Sequence, residues 1–174
     1  MEANKILKFQ IFSTTFEILL GTLLHFAFEW SNQNSIIAAF SNVNESTWEH
    51  LKLAFFPMLI TTLIGFLIFN KNKNFLCSKA IGIISAISFI TIFFYTYTGI
   101  LGKNIAIVDI SSFIIAIIIG NYISYKKIIS NYNCNNFIAL IILFILLLCF
   151  IFFTYNPPNI ALFQDPITGM YGIF

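Results

Sequence analysis

The chain has 174 residues, of which 59% are hydrophobic and only 9% are charged, and its formal net charge is +2 at pH 7. Soluble domains carry about 25% charged residues, so this composition excludes a soluble domain and predicts a multi-pass membrane protein in contact with a lipid bilayer. All nine basic residues are lysines without a dense cluster, so we expect no nucleic-acid partner. Abundant Ile, Asn, Lys and Phe without any Arg is typical of an AT-rich, bacterial genome.

Five apolar segments are long enough to cross about 30 Å of hydrocarbon as helices. They lie at residues 7–30, 47–69, 81–101, 105–125 and 137–155. Ile and Phe occupy every face of these segments, which predicts lipid rather than water as their neighbour. We therefore predict an all-α fold, an integral membrane bundle of five transmembrane helices. We expect a single transmembrane helical domain over residues 1–174, ending in an outer tail at 156–174.

The distribution of lysines between the connections predicts the orientation of the bundle. One side carries Lys5, Lys8, Lys71, Lys73, Lys79, Lys126 and Lys127, and the other side carries Lys52 and Lys103. Because positive residues favour the cytoplasmic side, we expect the N-terminus in the cytoplasm and the C-terminus outside the cell membrane.

Both histidines and most acidic residues lie at the predicted outer ends of the spans. His25 and Glu29 are four residues apart, so their side chains share one helix face and can reach one metal ion. Alternatively, His25 is a hydrogen-bonded core histidine and Glu29 an interfacial cap. Glu45 and His50 flank the start of the second span in the same layer.

A capping interpretation competes at the start of the second span. Ser46 fits the N-cap of a capping box, in which Glu49 bonds back to the Ser46 amide. Capping accounts for neither Glu45 nor His50. These two residues are therefore candidates for chemistry rather than for helix initiation alone.

Further ionisable residues lie within the predicted spans and in the tail. Asp109 would cost roughly 2.5–3.5 kcal/mol near a helix centre if unpaired, so we expect a partner such as Tyr97 or Lys103. Glu17, deep in the first span, is expected to be protonated or bonded to a polar group of another helix. Asp165 opens a predicted turn in the tail.

Ionisable groups from separate spans are tolerated in a membrane when they meet in a shared hollow, which we expect beneath the outer surface. We expect this hollow to bind a divalent metal ion such as Zn²⁺ and to hydrolyse a lipid or envelope substrate through metal-activated water. The expected metal ligands are His25, Glu29, His50 and Asp109. The expected catalytic residues are His50 and Glu45, the latter as general base. Other polar residues assigned to the site are Glu17, Glu49, Tyr97 and Asp165.

Two other functions fit the same residues. In a small transporter or solute-binding subunit, Glu17 would continue the polar path inward from His25. In a non-catalytic membrane partner or assembly factor, the outer polar layer would be a docking surface.

The three cysteines are Cys77, Cys134 and Cys149, and none belongs to a CxxC pair. Their spacing predicts neither a disulfide framework nor a zinc finger. We interpret each as an inert apolar side chain.

Residues 44–52, which read Asn-Glu-Ser-Thr-Trp-Glu-His-Leu-Lys, form the most distinctive motif of the chain. With residues 25–30, 97–102 and 165–172, this motif resembles a family of small bacterial multi-pass membrane proteins of unknown function. The resemblance spans most of the chain and implies a membrane location. It implies no activity, substrate or cofactor.

Overall fold

The computed structural model describes residues 2–69, 72–130 and 133–173, and the regular elements within them are all helices, without a β-strand. The helices are α1 (Glu2–Trp30), α2 (Ser35–Ala38), α3 (Thr47–Ile68), α4 (Phe75–Leu101), α5 (Ala106–Ile129) and α6 (Asn136–Tyr155), followed by a short 3₁₀ helix (Ala161–Phe163). Five of them, α1 and α3 to α6, are long and apolar enough to cross a membrane. The predicted all-α bundle with five membrane-length helices is therefore confirmed.

The bundle has two polar ends. We name the end that contains Trp30 and Thr47 the outer end, after the orientation expected from the lysines, and the opposite end the inner end. Predicted and observed boundaries agree within a few residues at the outer end. At the inner end α4 begins at Phe75 rather than at residue 81, and α5 continues to Ile129 rather than ending at 125.

Helices α3 and α4 form the centre of the bundle. α3 packs against α1 and α4, while α4 also packs against α5 and α6. Small residues allow the closest contacts: a Cβ added at Gly82 of α4 would lie 2.4 Å from the carbonyl oxygen of Gly120 of α5. Helices approach this closely in membranes because small side chains maximise van der Waals contact between backbones.

The sides of the bundle, between its two ends, are apolar over most of their height. On α6, for example, Phe137, Phe144 and Phe152 are each more than half exposed. A continuous apolar surface of this kind is stable in hydrocarbon and not in water. The observed surface agrees with a multi-pass membrane protein whose neighbour is lipid.

The C-terminal tail folds back onto the outer end. The Phe163 ring packs on Trp48 with ring centroids 4.7 Å apart, and Asn44 Nδ2 donates to the Gly172 carbonyl over 2.9 Å. Asp165 organises the turn that was predicted here, because its carboxylate accepts from Ile167 N at 2.9 Å and from Thr168 Oγ1 at 2.8 Å.

The expectation that all cysteines are unpaired is wrong for two of them. Cys77, in the first turn of α4, forms a disulfide with Cys134, which precedes α6, whereas Cys149 is free. Asn136 joins the same two segments, accepting from Cys77 N at 3.1 Å and donating to the Lys73 carbonyl at 2.7 Å. Sequence spacing missed the pair because its members lie 57 residues apart.

Candidate functional site

The N-terminus of α3 is built from the polar motif that precedes it. Ser46 is the N-cap, and its hydroxyl accepts from the Glu49 amide at 3.4 Å. The second half of the expected capping box is absent: the Ser46 amide donates to Asn44 Oδ1 at 2.9 Å, and the Glu49 carboxylate accepts instead from Val43 N at 3.1 Å. This arrangement leaves His50 in the first turn, at the outer end.

One ring nitrogen of His50 is held by the backbone. His50 Nδ1 lies 3.0 Å from the Ser46 carbonyl oxygen. Because a carbonyl only accepts, this contact requires a proton on Nδ1, and in a neutral ring Nε2 then has the lone pair. Nε2 lies 3.5 Å from Glu45 Oε2, so the free nitrogen points toward a carboxylate.

His25 of α1 meets this pair from the neighbouring helix. The His25 and His50 ring centroids are 5.4 Å apart, and the available ligand atoms of His25, Glu45 and His50 lie within 4.8 Å of one another. The two histidines are partly exposed and Glu45 is exposed. We name these three residues the outer triad. Its members come from α1, α3 and the segment before α3, and the group is accessible from the outer end.

Two residues expected as metal ligands do not belong to the outer triad. Glu29 is an exposed residue of α1, one helical turn beyond His25. Asp109 of α5 accepts a hydrogen bond from the Tyr97 hydroxyl of α4, and that hydroxyl in turn accepts from Ile105 N at 3.1 Å. The hydrogen bonds of Tyr97 thus stabilise the turn between α4 and α5.

Glu49 belongs to a buried cluster with Lys52, which was predicted only as one of the lysines on the outer side. Lys52 Nζ lies 2.5 Å from Glu49 Oε2 and donates to the Ala38 carbonyl at 2.9 Å and to Thr154 Oγ1 at 2.8 Å. The cluster joins α2, α3 and α6. The three-residue spacing of Glu49 and Lys52 on one helix was the available signal for this pair.

Glu17 lies in a third cluster, nearer the inner end, which we name the inner polar core. Its carboxylate accepts from Thr61 of α3 and Asn121 of α5, and it lies 3.6 Å from Lys79 Nζ of α4. Lys79 also donates to Asn121 Oδ1 at 2.8 Å and to Gln10 Oε1 at 3.3 Å. The expectation that Glu17 bonds to polar groups of other helices agrees with these contacts.

These clusters replace the single shared hollow that the sequence suggested. Between the outer triad and Glu17, α1 presses against its neighbours at Gly21. A Cβ added there would lie 2.4 Å from the Leu53 carbonyl oxygen and 2.6 Å from Phe113 Cζ. The close contact separates the two clusters along α1. Asp165 does not belong to the outer triad either, because its carboxylate is hydrogen-bonded within the tail turn.

Comparison with known proteins identifies a family without an assigned activity. Residues 1–173 match the family described as "Family of unknown function (DUF6512)". No curated protein and no solved structure matches the chain. The match covers nearly the whole chain.

Proposed function

For a chain that belongs to the DUF6512 family of unknown function, we propose a divalent-metal site, such as one for Zn²⁺, formed by the outer triad. The convergence of His25, Glu45 and His50 within 4.8 Å is the observation that carries the proposal. Two imidazoles and a carboxylate form a common ligand set for zinc. The set differs from the one expected from sequence, because Glu45 takes the place assigned to Glu29 and Asp109.

The environment of His50 is compatible with metal binding. A metal-binding histidine usually donates its second ring N–H to a carbonyl or carboxylate, which orients the ring and fixes its tautomer. The Ser46 carbonyl fills this role at 3.0 Å from Nδ1. Ser46 is itself held as the helix N-cap, so the orientation of the ring follows from the local fold of α3.

Three protein ligands leave a coordination position for water, as in catalytic rather than structural zinc sites. A metal there would supply a water of lowered pKa for hydrolysis. Glu45 is then a ligand rather than the general base expected from sequence. The exposed Glu29, one turn from His25, is the carboxylate we propose as proton acceptor.

A substrate that lies partly in the bilayer fits the position of the site. Phe26 and Trp30 of α1 are exposed beside the partly exposed His25, so apolar surface adjoins the polar group. We propose a lipid or another envelope component with a hydrolysable bond at headgroup depth. Transport is less well supported, because the Gly21 contact separates the outer triad from Glu17.

Elemental analysis of protein purified in detergent tests the metal site. We expect about one Zn²⁺ or other divalent ion per wild-type chain, and loss of most of it in His25→Ala and His50→Ala. Asp109→Asn is the matched control, because this carboxylate is paired with Tyr97, and its metal content should equal that of wild type.

A metal-free wild-type protein that also fails to bind added Zn²⁺ would contradict the proposal. Catalysis is tested separately, with vesicles of phosphatidylethanolamine and phosphatidylglycerol and mass spectrometry of the released products. Metal binding without any product would exclude these two phospholipids as substrates and leave the metal site without the proposed hydrolysis of lipid.

A further inference from the structure

The inner polar core contains a charged pair that is completely enclosed by protein. Glu17 and Lys79 both have a relative exposure of 0%. The Lys79 ammonium contacts three oxygens, on Glu17, Gln10 and Asn121. The Glu17 carboxylate accepts from Thr61 and Asn121 in addition. The charges themselves are therefore satisfied, which is what a pair inside a membrane requires.

The polar groups around this pair are not all satisfied. Among the residues that the structure describes, Gln10 Nε2, Ser13 Oγ and Ser78 Oγ are buried without a hydrogen-bond partner. The three residues are 3%, 0% and 0% exposed, respectively. Leaving such a group unpaired costs about 1–3 kcal/mol, so three in one region require an explanation.

The two serines differ from other helical serines of the chain. Ser85 and Ser124 donate to the carbonyl four residues earlier, at 2.8 and 2.9 Å. Ser13 and Ser78 make no such bond, although helical backbone carbonyls are available to both.

The unpartnered groups belong to the helical turns that carry the charged pair. Gln10, Ser13 and Glu17 are spaced three and four residues apart on α1, so they share one face. Ser78 directly precedes Lys79 in α4. Toward the inner end, the rings of Phe9, Phe69 and Phe75 pack together, with centroids 5.3 to 6.2 Å apart.

The chemistry of these atoms selects the ligand. Gln10 Nε2 is a donor and requires an acceptor, which excludes a bare metal cation, and Lys79 would repel such a cation. Glu17 would repel an anion. Water both donates and accepts, and it commonly bonds to buried polar groups that the protein leaves unpaired. We propose that the inner polar core binds internal water, held by Gln10, Ser13 and Ser78 beside the Glu17–Lys79 pair.

Magic-angle-spinning NMR of the full chain in lipid bilayers tests the proposal. The experiment transfers polarisation from water protons to ¹⁵N in glutamine side chains, with the Gln10 signal identified by its loss in Gln10→Met. We expect transfer to Gln10 Nε2 despite its burial. In Ser13→Ala we expect that transfer to fall several-fold. In Ser85→Ala, whose hydroxyl is already bonded to the backbone, it should be unchanged.

Absence of transfer to Gln10 in the wild-type protein would overturn the proposal. The direction in which Ser13→Ala changes Tm gives a second test. If the Ser13 hydroxyl is dry and unpaired, Ser13→Ala removes an unfavourable group and raises Tm. If it holds water, the same substitution breaks a bonded network and lowers Tm, while Ser85→Ala provides the reference. Neither result depends on whether the outer triad binds metal.

Discussion

Lys52 and Lys79 are both 0% exposed, although lysine is among the residues least often found fully buried. Each ammonium group pairs with a carboxylate and donates a hydrogen bond to a further oxygen. Lys52 pairs with Glu49 and donates to Thr154. Lys79 pairs with Glu17 and donates to Asn121. Removing one partner of such a pair lowers the stability strongly, because the other charge stays buried without a counter-charge.

We therefore expect Lys52→Met to lower the free energy of unfolding by about 3–5 kcal/mol, since Glu49 would lose its counter-charge. The measurement is unfolding in detergent micelles, followed by circular dichroism. The double variant Glu49→Gln with Lys52→Met should recover part of the loss, because no charge is left unpaired. Lys103→Met, at an exposed lysine, is the control and should change stability by less than about 0.5 kcal/mol. If Lys52→Met and Lys103→Met lowered the stability equally, the Glu49–Lys52 pair would contribute nothing specific to it.

Tyr97 and Asp109 provide a residue-scale test of the composition of the metal site. In Tyr97→Phe we expect a stability loss of about 1–3 kcal/mol, from two lost hydrogen bonds, and an unchanged metal content. The hydroxyl contacts Asp109 and Ile105 rather than the outer triad. Thermal unfolding and elemental analysis of the same preparation check both parts. A loss of metal would restore Asp109 to the ligand set expected from sequence.

At the scale of the helices, contact distances depend on where glycine lies. Gly21 brings α1 against the Leu53 carbonyl of α3 and the Phe113 ring of α5. Gly99, in the last turns of α4, has nothing within 4 Å of an added Cβ. The same substitution at these two positions therefore has opposite consequences.

We predict that Gly21→Ala lowers stability by about 1–3 kcal/mol, because the methyl group overlaps backbone that must move. Gly99→Ala should instead raise stability by up to about 1 kcal/mol, since alanine loses less backbone entropy in a helix. Thermal unfolding of the two variants in one detergent gives the comparison. Two equal shifts would mean that α1 does not approach α3 as closely as the Gly21 contact requires.

For the whole molecule, two features give opposite indications of orientation. The inner end carries the exposed lysines Lys5, Lys8, Lys73 and Lys126, which favours the cytoplasm. The same end carries the Cys77–Cys134 disulfide, and disulfides persist mainly in oxidising compartments. We propose the orientation that the lysines favour, with the N-terminus in the cytoplasm, because positive residues determine the orientation while the spans are being inserted.

Fusion reporters at the C-terminus measure this orientation. With an odd number of spans, we expect an active alkaline phosphatase fusion and a dark green fluorescent protein fusion. The reversed pattern would invert the bundle and place the outer triad on the cytoplasmic side. Mass spectrometry after alkylation of intact cells gives a second measurement, because a Cys77–Cys134 disulfide that persists in cells would favour the reversed orientation, in which the inner end faces an oxidising compartment.

The amino-acid sequence by itself determined the membrane location, the five long helices and the polar motif at the start of α3. These properties are local, because hydropathy and capping depend on residues within about one helix length. The positions of His25, Glu45 and His50 at the same end of the bundle also followed from alternating spans.

Only the tertiary structure decided which polar residues meet. Glu17 and Asn121 are 104 residues apart, and Lys52 and Thr154 are 102 apart, so no sequence period relates them. Lys79 was predicted to lie in a connection because a charged residue ordinarily marks the end of a span. In the folded bundle, a carboxylate and two amide oxygens from other helices surround its ammonium group. The cost of burying a charge depends on such distant partners, and therefore only packing could separate the outer triad from the inner polar core.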